Sequence, residues 1–311
     1  LTPEEYAASQ YLITAGLAAY VQRVATFFTV PKLGPRAWLD FLRVLFPEVQ
    51  KRYEQSAELG RQFYDTQRKS HHPDLVNNER LLSELPFEQF VQNMEPARKE
   101  MSQADSPKVA VAKTALTAVR EVEMAGRRQV IGAVKNDPDL EQKLEEAPVQ
   151  DGTRPVIGWA RVATGRETCA FCLMLISRGV EPNHKGNFAY EAADTAGINL
   201  DDETAIDLFL EAGGDPVKFL ENLREDSKEN VEQWHTGCDC IAVPVFDLKN
   251  WPGRDQATRA LALWIDAGKE ADKLIESGEA RSKNVNRETM NALRRRLERG
   301  DISMSNYAVA A

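Results

Sequence analysis

The chain has 311 residues, of which 42% are hydrophobic and 28% charged, and a net charge of −9 at neutral pH. That length supports a sizeable core and two domains, with the composition of an ordinary soluble globular protein. No run of about 18 apolar residues is present to span a bilayer, and the acidic balance argues against general adhesion to nucleic acid.

The opening LTPEEYAAS lacks the basic and apolar regions of a signal peptide. The expectation is a reducing cytoplasm, where thiols stay reduced unless a metal takes them. Thr2-Pro3-Glu4-Glu5 reads as a capping box, with Thr2 as N-cap, Pro3 at N1 and Glu5 at N3. Ile13, Leu17, Val21, Val24 and Phe28 then recur at helical spacing and paint one apolar face. Residues 30–35 stop this helix. A second helix carries Trp38, Phe41, Leu42 and Leu45, and Pro47 is expected to interrupt or kink it. Residues 48–69 continue as a more polar helix anchored by Tyr53, Leu59 and Phe63.

Ser70-His71-His72-Pro73 reads as a solvent-exposed connection. Adjacent histidines point in different directions, which is poor geometry for a shared metal. A helix is expected over 87–103 and a long one over 107–135, whose buried stripe would include Val109, Ala112, Leu116, Val119 and Val130. Composition shifts at residues 136–155, NDPDLEQKLEEAPVQDGTRP, an acidic stretch with three prolines that reads as a linker. Beyond it, 156–162 and 241–246 are strand candidates, and helical stretches fall near 170–178, 202–212 and 216–233. Amphipathic helices over 254–276 and 286–299 finish the chain. The fold class is therefore α+β and predominantly helical. A helical domain spans 1–135, a linker 136–155, a small cysteine-bearing domain 156–250, and C-terminal helices 251–311.

Every one of the four cysteines falls in one of two clusters. Cys169-x-x-Cys172 lets two thiolates converge on one ion from a tight turn. Downstream, His235 precedes Cys238 and Cys240, and the last two share a face if they enter the following strand. Tetrahedral zinc needs four ligands, met by Cys169, Cys172, Cys238 and Cys240 with His235 as substitute or outer neighbour. Such a closed site would be structural, a Zn2+ staple for a domain with a thin core. Three other readings stand beside it: buried cysteines without metal, disulfides or a thioredoxin-like pair, and a cysteine nucleophile with His235 as base.

Residues 281–300 hold seven basic side chains against two acidic ones. They read either as a solvated helix face or, through Arg294, Arg295, Arg296 and Arg299, as a contact for DNA or an acidic partner. There is no G-x-S-x-G elbow, no H-E-x-x-H helix and no phosphate-binding glycine loop. Of the remaining histidines, His184 lies in a polar turn-like segment.

Cys169-x-x-Cys172 followed by His235-x-x-Cys238-x-Cys240 and Pro244, with Arg161 and Arg166 upstream, resembles the signature of MuF-like phage head morphogenesis proteins. The stretches YVQRVATFF, WLDFLRVLFPEV and SAELGRQFYDTQR resemble mycobacteriophage proteins encoded beside the portal gene. Those are described as MuF-like minor head proteins or as capsid maturation proteases. The resemblance implies a non-enzymatic minor protein of a tailed-phage head, whose cysteine-bearing region is a MuF-like domain. Its implied partners are the portal protein and the major capsid or scaffold protein; the local charge of the arginines named above adds packaged DNA as a further candidate. It implies no membrane and no small-molecule substrate. The protein would be made in the host cytoplasm and then enclosed in the capsid interior. The alternative it carries is a protease that cleaves scaffold or major capsid protein.

Overall fold

The computed structural model describes residues 1–28, 33–75, 82, 84–101, 107–137, 156–165, 169–181 and 240–309. In chain order these form α1 (Pro3–Phe28), α2 (Pro35–His71), α3 (Phe87–Asn93), α4 (Glu95–Met101) and α5 (Pro107–Lys135). There follow β1 (Gly158–Val162), α6 (Ala170–Ile176), β2 (Val180–Glu181), β3 (Ile241–Val245), α7 (Arg254–Glu276), α8 (Val285–Glu298) and a 3-10 turn at Met304–Tyr307. The strands make a small antiparallel sheet of order β2-β1-β3, so the described residues are predominantly helical α+β. The expected helices at 202–212 and 216–233 lie outside them. The chain divides into two compact units, Leu1–Trp159 with Trp234–Asp247, and Ala160–Gln233 with Leu248–Ala310.

In the first unit, α1, α2 and α5 pack against one another. The N-terminus of α1 is closed as a capping box: the Thr2 amide donates to Glu5 at 2.8 Å and the Glu5 amide to the Thr2 hydroxyl at 3.2 Å. Leu17, Val21 and Val24 are buried, while Ile13 and Phe28 pack partly buried against the same core. In α2 the residues Trp38, Phe41, Leu42 and Leu45 are buried, and so are Val49, Tyr53, Ala57 and Phe63 farther along. Leu59 is half-buried.

Of the two expectations for Pro47, the interruption does not occur: one helix runs through it. Apolar residues on both sides of the proline share one core-facing stripe, and burying that whole stripe outweighs a single missing backbone bond. The expected helix over 87–103 is instead two short helices separated at Met94, because Pro96 has no amide to donate back to Gln92.

The stripe expected on α5 is also displaced. Val119 and Val130 are buried, but Ala112 is exposed and Leu116 is 39% exposed; the side chain of Val109 lies outside the described residues. Ala115, Ala118, Val122 and Ala125 form the inward face. Small residues occupy it because α5 passes close to α2. A Cβ added at Gly60 would stand 2.6 Å from the Gly126 carbonyl oxygen. Ser56 bridges this crossing by accepting from Gln10 at 2.8 Å and from the Gly126 amide at 3.1 Å.

In the second unit, α7 packs on α8 and both pack on α6. Their core is built from Ala170, Ala267, Ala292 and Leu293, flanked by Leu263, Trp264, Met290, Leu297 and Ile302. The Arg178 guanidinium lies over the Trp264 ring at 5.3 Å. Asn284 caps α8 by accepting from the Arg287 amide at 2.9 Å. Gly253 precedes α7 with φ +91, and a Cβ there would stand 2.8 Å from Val162, so both backbone and space call for glycine. The C-terminal segment returns to β1, where the Val309 amide donates to the Ala163 carbonyl at 3.0 Å.

Candidate metal centre and the basic helix

Cys169 is the residue that caps α6, in extended conformation, and Cys172 sits in the helix's first turn. Their Sγ atoms are 3.8 Å apart. A disulfide would bring them to about 2.05 Å. Two thiolates bound to one tetrahedral zinc through bonds of about 2.3 Å stand about 3.8 Å apart, the edge of that tetrahedron. The pair therefore has the spacing that half of a four-sulfur site requires. Cys172 is fully buried and Cys169 half-buried.

Cys240 is fully buried immediately before β3. Its carbonyl accepts two hydrogen bonds from the Arg127 guanidinium, at 3.1 Å and 2.9 Å. Arg127 also pairs with Glu123 at 3.2 Å. The backbone of one candidate ligand is thus fixed by α5. His235 and Cys238 lie outside the described residues, as do Arg166 and His184. Among the described residues no group of three or more His, Cys, Asp or Glu side chains converges as a metal site.

Ser70, His71 and Pro73 are exposed, as expected, but Ser70 and His71 belong to the end of α2 rather than to a loop. His71 is the last residue of α2, and its ring stacks on Phe246 at 4.8 Å. His72 meets the same ring edge-on at 5.8 Å. Partial burial, then the neighbouring His72 charge, lowers the His71 pKa, and Asp247 opposes the shift. The Ser70 hydroxyl donates to the Gln67 carbonyl at 2.8 Å.

The four arginines of α8 and its end meet groups within their own unit. Arg295 pairs with Glu270 at 3.0 Å, and Arg296 with Asp266 at 2.9 Å and Glu270 at 3.0 Å. Arg299 pairs with Asp301 at 2.7 Å, and the exposed Arg294 donates to Asn291 at 3.3 Å. Burial alone would raise the Glu270 carboxyl, but hydrogen bonds and charge from Arg295 and Arg296 hold it below the usual range.

Two polar anchors escaped the sequence reading. Arg127 stands one turn after Glu123 in α5, a spacing that in sequence reads as an ordinary solvated ion pair. Asp137, read as part of a linker, is fully buried and takes a bidentate contact from Arg68 at 2.7 Å and 3.1 Å. The Tyr64 hydroxyl donates to it at 2.6 Å.

A family model described as VG15 protein matches residues 4–267. The Gene 15 protein of Mycobacterium phage L5 is 65% identical over 311 residues, covering both chains completely. The Gene 15 protein of Mycobacterium phage D29 is 61% identical over 300 residues, covering 96% of this chain and all of that one. No solved structure matches. With a family model spanning most of its length and phage relatives matching it end to end, the chain belongs to the VG15 protein family.

Proposed function

We propose that this protein is a non-enzymatic minor component of a tailed-phage head. In this reading it is made in the host cytoplasm and carried into the capsid interior. Its helical N-terminal module binds the portal protein and the major capsid or scaffold protein. Its cysteine-bearing region is a MuF-like domain closed by a structural zinc ion. Cys169, Cys172, Cys238 and Cys240 would hold the metal, with His235 as substitute or outer neighbour.

The observation that carries the proposal is the Cys169–Cys172 pair at zinc-compatible spacing in a chain related along its whole length to mycobacteriophage proteins. The resemblance of the wider cysteine pattern to the MuF-like signature supplies the head-assembly role. A closed thiolate set leaves no coordination position for substrate, so the metal would supply folding energy rather than chemistry. Contact with packaged DNA through Arg294, Arg295, Arg296 and Arg299 would compete with the carboxylate pairs that three of these side chains make.

Two measurements test it. Elemental analysis of the purified protein should find stoichiometric zinc that falls in Cys169→Ser and Cys172→Ser; an equally stable metal-free protein would overturn the zinc assignment. Co-expression with the phage portal, capsid and scaffold proteins should recover the chain bound to one of them, all uncleaved. Processed capsid or scaffold fragments that depend on this chain would favour the protease instead.

A further inference from the structure

The outward face of α1 has the wrong chemistry for a surface left in water. From Tyr6 to Gln22 the helix has no charged residue. Five of its seventeen residues are buried, Leu17 and Val21 fully. The opposite face carries Ala8, Leu12, Ala15 and Ala19, all exposed. Leu12 is 70% exposed and the neighbouring Tyr11 52%. Their spacing of four, three and four residues is the seam of a coiled coil. The neighbouring α2 shows what a solvated face looks like here, with Asp40, Arg43, Lys51 and Glu54 all exposed.

We infer that this face of α1 packs antiparallel against α1 of a second copy of the chain. The charges at its two ends select that occupant. Glu4 and Glu5 stand at the N-terminal end, and Arg23 stands just past the uncharged stretch, its guanidinium over the Tyr20 ring at 5.7 Å. An antiparallel pair centred between Ala15 and Gly16 sets Leu12 opposite Ala19 and Arg23 opposite Ala8, about one helical turn from Glu5 of the second copy and on the same flank of the seam. Two-fold symmetry makes that match twice. It also aligns the helix dipoles favourably, whereas a parallel pair would place like charges and like dipole ends together. Leucine against alanine lets the helices approach closely, as their small residues allow. A membrane surface is the poorer match, since the face has acids at one end and no cluster of the basic residues that anionic lipids attract.

The test is the solution mass of the full chain, measured by sedimentation over a concentration series. Wild-type protein should weigh twice the 34.9 kDa of one chain, and Leu12→Glu and Ala15→Glu should each return it to one chain with unchanged helical circular dichroism. Ala15→Cys, next to the symmetry axis, should cross-link to itself on mild oxidation, identified by peptide mass. The cross-link decides the matter even if a glutamate variant misfolds. A monomer at every concentration, or a dimer that survives both glutamate variants and shows no cross-link in Ala15→Cys, would overturn the inference.

Discussion

Arg127 and Cys240, 113 positions apart in the chain, are joined by two hydrogen bonds from one guanidinium to one carbonyl. Both groups are buried, so the contact fixes the entry to β3 against α5. A carbonyl left there without its donor would have no water to replace it.

Arg127→Met should therefore destabilise the protein by about 2–4 kcal/mol, through the orphaned carbonyl and the unbalanced Glu123. Arg127→Lys should recover only part of this, since an ammonium lacks the two-pronged geometry. Urea unfolding followed by circular dichroism measures both. Two variants of equal stability to the parent would refute the role assigned to Arg127.

The crossing of α2 and α5 predicts an unusual response to alanine. On propensity alone, Gly60→Ala should gain up to about 1 kcal/mol within a helix. Here the new methyl group meets the Gly126 carbonyl at 2.6 Å, and overpacking of that kind costs about 1–3 kcal/mol. A lower melting temperature is expected, and a higher one would mean that the helices are farther apart.

Asp137 carries a buried charge held by Arg68 and Tyr64. Removing one partner strands the other, so Asp137→Ala should cost about 3–5 kcal/mol. Combining Asp137→Leu with Arg68→Met removes both charges and should cost less than either single change. A double-mutant cycle on unfolding free energies reads this directly; strict additivity would show that the two groups do not interact.

The α7–α8 pairing should weaken in acid. The Glu270 carboxyl lies below its ordinary 4.5 in the folded chain. Its contribution is therefore present above that ordinary value and is lost as pH falls through the folded one. Glu270→Gln should lower stability by about 1 kcal/mol at neutral pH. The gap between variant and parent seen at neutral pH should narrow in acid, once the folded-state carboxyl takes up a proton. Thermal melts at neutral and at acid pH give the comparison, and a gap that persists in acid would count against the ion-pair origin.

The helices of this protein were legible in its sequence wherever local chemistry sets the boundary. Thr2 and Glu5 mark the start of α1, Pro107 opens α5, and the final helices fall at Arg254–Glu276 and Val285–Glu298, within a residue or so of the spans expected for them. The CxxC pair was equally plain, because its spacing is a property of the chain itself. What escaped was set by neighbours. Pro47 is carried inside α2 because core residues on both sides of it keep the helix unbroken. The buried face of α5 is lined with alanines because another backbone passes beside it, and small side chains leave no hydrophobic signature. Asp137 looks like linker chemistry until Arg68 and Tyr64 close around it. Caps, breakers and periodicity act between near neighbours, so the order of residues alone carries them. Close approach and charge pairing join residues remote along the chain, and they come into view once folding has brought those residues together.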